Sequence, residues 1–134
     1  MNDASQTEFH KVIPILRMFS IEKTKAFYID FLGFTVDWEN RFEKDAPLYM
    51  QISRAGCMLH LSEHHGDGTP GAAVYVVTKG LDDFHREVTA KTYHFMNPGI
   101  ERMPWGARCM TVIDPSGNRL SFNEHDEADG DATA

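Results

Sequence analysis

The chain has 134 residues, 42% apolar and 25% charged, the size and composition of one ordinary soluble domain, which excludes wholesale disorder. No apolar run approaches the roughly 20 residues of a membrane span, and the opening MNDASQTEF carries acids and amides where a signal peptide has a basic head and an apolar stretch, so a cytoplasmic protein is expected. Net charge is -7, from 13 basic and 20 acidic residues, and no basic cluster offers the phosphate contacts that nucleic-acid binding needs.

In chain order, residues 1–8 read as an N-terminal extension. The segment from Lys11 to Met18 is rich in strand formers, with Pro14 suited to an edge or bend. A helix is predicted next, capped by Ser20, with Glu22 at the positive end of its dipole. Ile21, Tyr28, Ile29 and Leu32 form its apolar stripe, widened by Phe27 and Phe31. Gly33 ends it in the left-handed C-terminal position. Three strands are then expected: Phe34 to Asn40, Leu48 to Ser53 and Cys57 to Ser62, the last two joined by the turn Arg54-Ala55-Gly56. The stretch from Glu63 to Gly71 is loop by composition.

The pattern then recurs. Ala72 to Thr78 is a β-branched strand. Leu81, Phe84 and Val88 form a helical stripe behind Asp82 and Asp83. A weak segment from Tyr93 to Met103 is broken by Asn97-Pro98-Gly99. A hairpin follows, Arg108 to Ile113 and Arg119 to Asn123, around Asp114-Pro115-Ser116-Gly117-Asn118. The acidic end EHDEADGDATA reads as a solvated tail.

Laid over each other at an offset of 61 residues, Gly56 meets Gly117, Ile52 meets Ile113, Leu59 meets Leu120, and Glu63-His64 meets Glu124-His125. A unit of strand, helix and three strands therefore occurs twice. Strand parity puts Leu59 and Leu61 on one face and Met58, His60 and Ser62 on the other. It likewise separates Leu120 and Phe122 from Arg119, Ser121 and Asn123. Each sheet thus has an apolar face for a helix and a more polar face that could wall a ligand groove. Cys57 and Cys109 are expected as small core or half-core residues, since two scattered thiols make neither a disulfide framework nor a zinc motif.

This text resembles the glyoxalase, bleomycin-resistance and extradiol-dioxygenase superfamily, built from paired βαβββ modules. Ala26-Phe27-Tyr28, Phe31-Leu32-Gly33-Phe34 carry the first-module resemblance. Pro104-Trp105-Gly106, Arg108, Asp114 through Leu120 and Phe122 resemble the bleomycin-resistance branch. The resemblance implies an α+β fold: two βαβββ modules, about 9–65 and 71–125, whose curved mixed sheets surround a groove with helices outside. It also implies a single domain over 9–125, a tail over 126–134, and a homodimer.

In the metal-dependent relatives, ligands would fall at Ile13, His60, one of Ala72 to Val74, and Ser121. Only His60 of these is a metal ligand, too few even for an open catalytic zinc site, which uses three protein ligands. His60 and His64 lie about 13 Å apart along an extended strand, too far for one ion. His64, His65, His94 and His125 read as surface residues. No nucleophile elbow, Cys-His-Asn pattern or P-loop is present, so neither catalytic residues nor a cofactor are expected.

Aromatics and acids remain. Flat rings beside carboxylates suit a planar or cationic ligand through stacking and cation–π attraction. Asp37, Glu39, Glu43, Asp45 and Glu63 could supply the charge. Trp38, ending the second strand, and Trp105 could simply cap the core. The resemblance instead implies that Trp38, Trp105 and Phe42 line a groove for a cationic glycopeptide antibiotic, with His60, Ser62, Arg108 and Ser121 on its walls. Three functions stay open: sequestration of bleomycin-type antibiotics, a metal-dependent lyase, isomerase or dioxygenase, and binding of another planar or cationic molecule.

Overall fold

The computed structural model describes residues 5–93 and 96–127; His94, the start of the extension and the tail from Ala128 lie outside them. The first unit runs β1 (Ile15–Arg17), α1 (Ile21–Lys25) continued as a π turn (Ala26–Phe31), β2 (Thr35–Asn40), β3 (Tyr49–Arg54) and β4 (Cys57–Ser62). The second runs β5 (Ala73–Val77), α2 (Leu81–Thr89), β6 (Ile100–Met103), β7 (Ala107–Ile113) and β8 (Arg119–His125). Each unit makes a four-stranded mixed sheet, ordered β1-β4-β3-β2 and β5-β8-β7-β6. In both, the first strand pairs parallel with the last and the other pairings are antiparallel. This is the βαβββ module, twice.

Local chemistry explains the element ends. The Ser20 hydroxyl accepts the Lys23 N–H and caps α1. Gly33 turns the chain out with φ 79. β1 is shorter than expected because Pro14 has no N–H to donate, although its carbonyl still accepts the His60 N–H at 3.0 Å. The helix expected through Leu32 widens after one turn into π geometry. A π turn holds more residues than an α turn, so Phe27, Tyr28, Phe31 and Leu32 all reach the core while Ile21 and Ile29 stay half-buried.

One apolar cluster joins both modules: Leu16, Met50, Ile52, Leu59 and Leu61 pack with Met110, Val112, Leu120 and Phe122, and Phe84 meets Phe122 edge to face. The internal repeat holds with one correction. Ile52 pairs with Leu59, but Leu120 pairs with Val112 rather than Ile113. Between Ser53 and Met58 the first connection holds four residues, and between Ile113 and Arg119 the second holds five, so β7 is displaced by one position and Ile113, half exposed, lies on the open face.

Asp114 shows what the longer turn does. Its carboxylate accepts from the Tyr28 hydroxyl at 2.7 Å, from Ser116 N and Asn118 N, and from Asn118 Nδ2. Asn118 also donates to the Arg17 carbonyl and accepts from Ala72 N. A buried turn of the second module thereby holds the helix and first strand of the first. Opposite, Arg54 donates to Glu87 through two nitrogens and to the Leu32 carbonyl, and Lys91 donates to the Asp30 and Phe31 carbonyls. Cations of this kind at a helix C-terminus offset its dipole.

The acidic end starts later than its composition indicates. Glu124 and His125 belong to β8, and Asp126 pairs with Arg102. No helix among the described residues is long and apolar enough to cross a membrane.

Candidate binding face

The helices cover one face of each sheet and leave the other open. On the first sheet the open face is set by register: Ile15 lies beside His60, Gln51 beside both His60 and Trp38, and Tyr49 beside Ser62. Trp38 does not end its strand. It sits inside β2 directly after a β-bulge between Val36 and Trp38. The bulge breaks the alternation of faces, so Asp37 and Trp38 both serve the open side. Asp37 accepts from Gln51 Nε2 at 3.1 Å and Ser53 Oγ at 3.0 Å. Trp38, 41% exposed, stacks on Tyr49 with centroids 6.0 Å apart and an interplanar angle of 10°. The His60 ring stands edge-on to both, at 5.4 and 5.2 Å.

Both ring nitrogens of His60 are engaged: Nδ1 with the Tyr49 hydroxyl at 2.7 Å and Nε2 with Gln51 Oε1 at 2.9 Å. Burial, and secondarily the charge of Asp67, push the Tyr49 phenol above its ordinary value. Tyr49 and Gln51 were not singled out from the sequence. Their alternation with Met50 and Ile52 in β3 was the available signal, because it places them with His60.

The other expected site residues are scattered. Ser62 is fully buried; its hydroxyl donates to Asp67 and accepts from His64 N as the 63–71 loop folds over it. At Gly68 in that loop, φ is +70 and a Cβ would come within 2.7 Å of the Ile15 carbonyl oxygen. Phe42, 87% exposed, lies in the β2–β3 link, and Trp105, 57% exposed, lies in the β6–β7 turn. Ser121 is on the open face of the second sheet, beside Tyr75 and Thr111, and accepts from Asn123. Arg108 points to the helix side, where Asp82 and Glu124 hold it. Those hydrogen bonds, Asp82 first, raise the Arg108 pKa and lower that of Asp82. Of the acids offered for charge, Glu39 pairs with Lys25, Glu63 accepts from Leu48 N, Glu43 and Asp45 lie exposed in the β2–β3 link, and Asp37 is on the open face.

The metal positions shift with the register. Ile15, not Ile13, lies beside His60, and Tyr75, not a residue from Ala72 to Val74, lies beside Ser121. This donor set does not fit the metal of the enzymatic relatives: the one imidazole already uses both nitrogens, and its strand neighbour is an isoleucine. Among the described residues no group of three or more His, Cys, Asp or Glu could hold an ion. Both cysteines are free, Cys57 half-buried and Cys109 buried. Burial pushes the Cys57 thiol up, which makes it a poor nucleophile.

A separate cleft of about 910 Å³ lies between the β3–β4 turn, β5 and α2, with Cys57, Met58, Val74, Val76, Phe84 and Phe122 among its walls. It does not include Trp38, Tyr49 or His60.

Residues 2–129 match a family model described as glyoxalase superfamily protein. A search of curated proteins finds no match. Similar solved structures include a bleomycin-binding protein complexed with bleomycin, 21% identical with a TM-score of 0.67 over 88% of this chain and 100% of that one. Another is the bleomycin-binding protein of bleomycin-producing Streptomyces verticillus complexed with copper(II)-bleomycin, 23% identical, TM-score 0.65, over 90% and 100%. A glyoxalase-related enzyme from Clostridium phytofermentans is 20% identical, TM-score 0.70, over 90% and 98%.

Proposed function

The chain belongs to the glyoxalase superfamily, and from that premise we propose that it binds and sequesters a flat, cationic antibiotic of the bleomycin type without changing a bond. The observation that carries this reading is the exposed Trp38 ring, stacked on Tyr49 beside the Asp37 carboxylate. A π-face gives stacking and cation attraction, and the carboxylate adds charge complementarity. The similar structures bound to bleomycin and copper(II)-bleomycin support it. The reading includes one cytoplasmic domain over 9–125 and a homodimer in which a second copy encloses the open face. Phe42 and Trp105, both exposed, then add rings at the rim, and His60 lies on the wall.

A second reading, a small-molecule binder of another kind, is favoured by the apolar cleft near Cys57 and Phe84. Titrating metal-free bleomycin into the protein while following tryptophan emission tests the first reading. A saturable change at micromolar ligand supports it, and no change up to that range refutes it.

A further inference from the structure

The hydrogen bonds on the open face of the first sheet run in one direction only. A carboxylate accepts and cannot donate, so Asp37 takes the amide hydrogens of Gln51 at 3.1 Å and the Ser53 hydroxyl at 3.0 Å. Gln51 must then turn its oxygen to His60, 2.9 Å away, and that oxygen requires a proton on Nε2. A neutral imidazole protonated on Nε2 has a lone pair on Nδ1. The Tyr49 hydroxyl, 2.7 Å from Nδ1, must donate to it. Its proton spent inward, Tyr49 offers only lone pairs outward, and among the described residues no donor is directed at them.

From this chain we infer that Asp37 sets, through Gln51 and His60, the hydrogen-bonding sense of Tyr49, making it an acceptor for a flat ligand that presents an N–H or ammonium group at its edge. Asp37, Gln51 and His60 are positioning residues; Tyr49 is the contact. Trp38 stacking supplies affinity for any flat ring, and the Tyr49 oxygen selects among them. A ligand offering an acceptor at that edge would face two opposed lone pairs, which is how polar sites discriminate between isosteres. This selectivity rests on the proposed use of the Trp38 face.

Two isosteric probes separate the two ideas: indole, with an N–H edge, and benzofuran, with an oxygen there. Nitrogen-15 NMR of the free protein is expected to show His60 protonated on Nε2. Ring-signal titrations of Trp38 and Tyr49 are expected to favour indole by roughly threefold to tenfold, the worth of one hydrogen bond. In Asp37→Asn the new side chain can face Gln51 with either its oxygen or its amide group, so both His60 tautomers should appear and the preference should fall toward one. Should that variant not fold, Tyr49→Phe is expected to bind both probes equally. Protonation of His60 on Nδ1, equal wild-type affinities, or an indole preference that survives Tyr49→Phe overturns the inference and leaves the stacking reading standing. Failure of both probes to move the Trp38 signals overturns that reading and the inference with it.

Discussion

In the first module the β3–β4 turn is two residues, Ala55-Gly56, and the open face carries Trp38, Tyr49, Gln51 and His60. In the second, Asp114 through Asn118 connect β7 to β8, and the open face carries Tyr75, Ile113, Thr111 and Ser121. The same topology is used for two purposes. The longer turn buries Asp114 and Asn118 and ties the modules together from within, whereas at the shorter turn the tie is the half-exposed ion pair of Arg54 with Glu87. The β2 bulge directs an acid and an indole to one side and creates a polar aromatic face. Its counterpart pairing, β6 with β7, shows no register shift, and Tyr75, on β5, hydrogen-bonds to His125 at 2.8 Å. A duplicated unit has divided its work: cohesion falls to the second module's turn and recognition to the first module's open face.

Breaking the staple should give the largest effect. Asp114→Ala leaves four donors without their buried acceptor, and a loss of about 3 kcal/mol or more is expected in urea unfolding. Gly68→Ala should follow at about 2 kcal/mol, because a left-handed backbone and a close carbonyl both oppose a Cβ. Arg54→Met removes the bidentate pair with Glu87 and the Leu32 cap, for about 1–2 kcal/mol by the same measurement. The hydrogen bond from Arg54 holds the Glu87 pKa below 4.5. That pair therefore contributes stability above the unfolded value and loses it as pH falls through the folded one, a dependence that Glu87→Gln should flatten.

Tyr28→Phe is the mildest of the four, near 1 kcal/mol at neutral pH. Burial, then Asp114, push its phenol well above 10.0. Its contribution is complete below the unfolded value and is lost as pH rises beyond it, since the unfolded chain ionises first. Wild-type protein should lose stability through this alkaline range, and Tyr28→Phe should lose less. None of these four changes touches Trp38, Tyr49 or His60, so the folded fraction of each variant should still bind at the open face.

The order of elements was legible because hydrophobic period, caps and breakers act locally. Ser20, Gly33 and the hairpin turns behaved as their chemistry requires. Parity correctly separated Leu59 and Leu61 from His60. Parity did not give the burial of Ser62, whose face the 63–71 loop roofs locally, nor that of Asn123, fully buried on the more polar face of the second sheet. The bulge at Asp37 was not legible, because an extra strand residue leaves no compositional mark, and so neither was the facing of Trp38. Arg108 belongs to the resemblance motif, yet its charge is spent on Asp82 and Glu124 across α2 and β8. Its register in β7 alone places it on the helix side, opposite Glu124. Tyr49 and Gln51 needed a pairing register before their link to His60 could be seen.

The division of work between modules is tested most directly by bleomycin titration of Trp38→Ala alongside Trp105→Ala. Loss of a stacking platform is worth roughly 1–3 kcal/mol, so Trp38→Ala should weaken binding about tenfold or more and remove most of the emission change, while Trp105→Ala should weaken it less. Undiminished affinity in Trp38→Ala would contradict the account, because recognition would then lie away from the first module's open face.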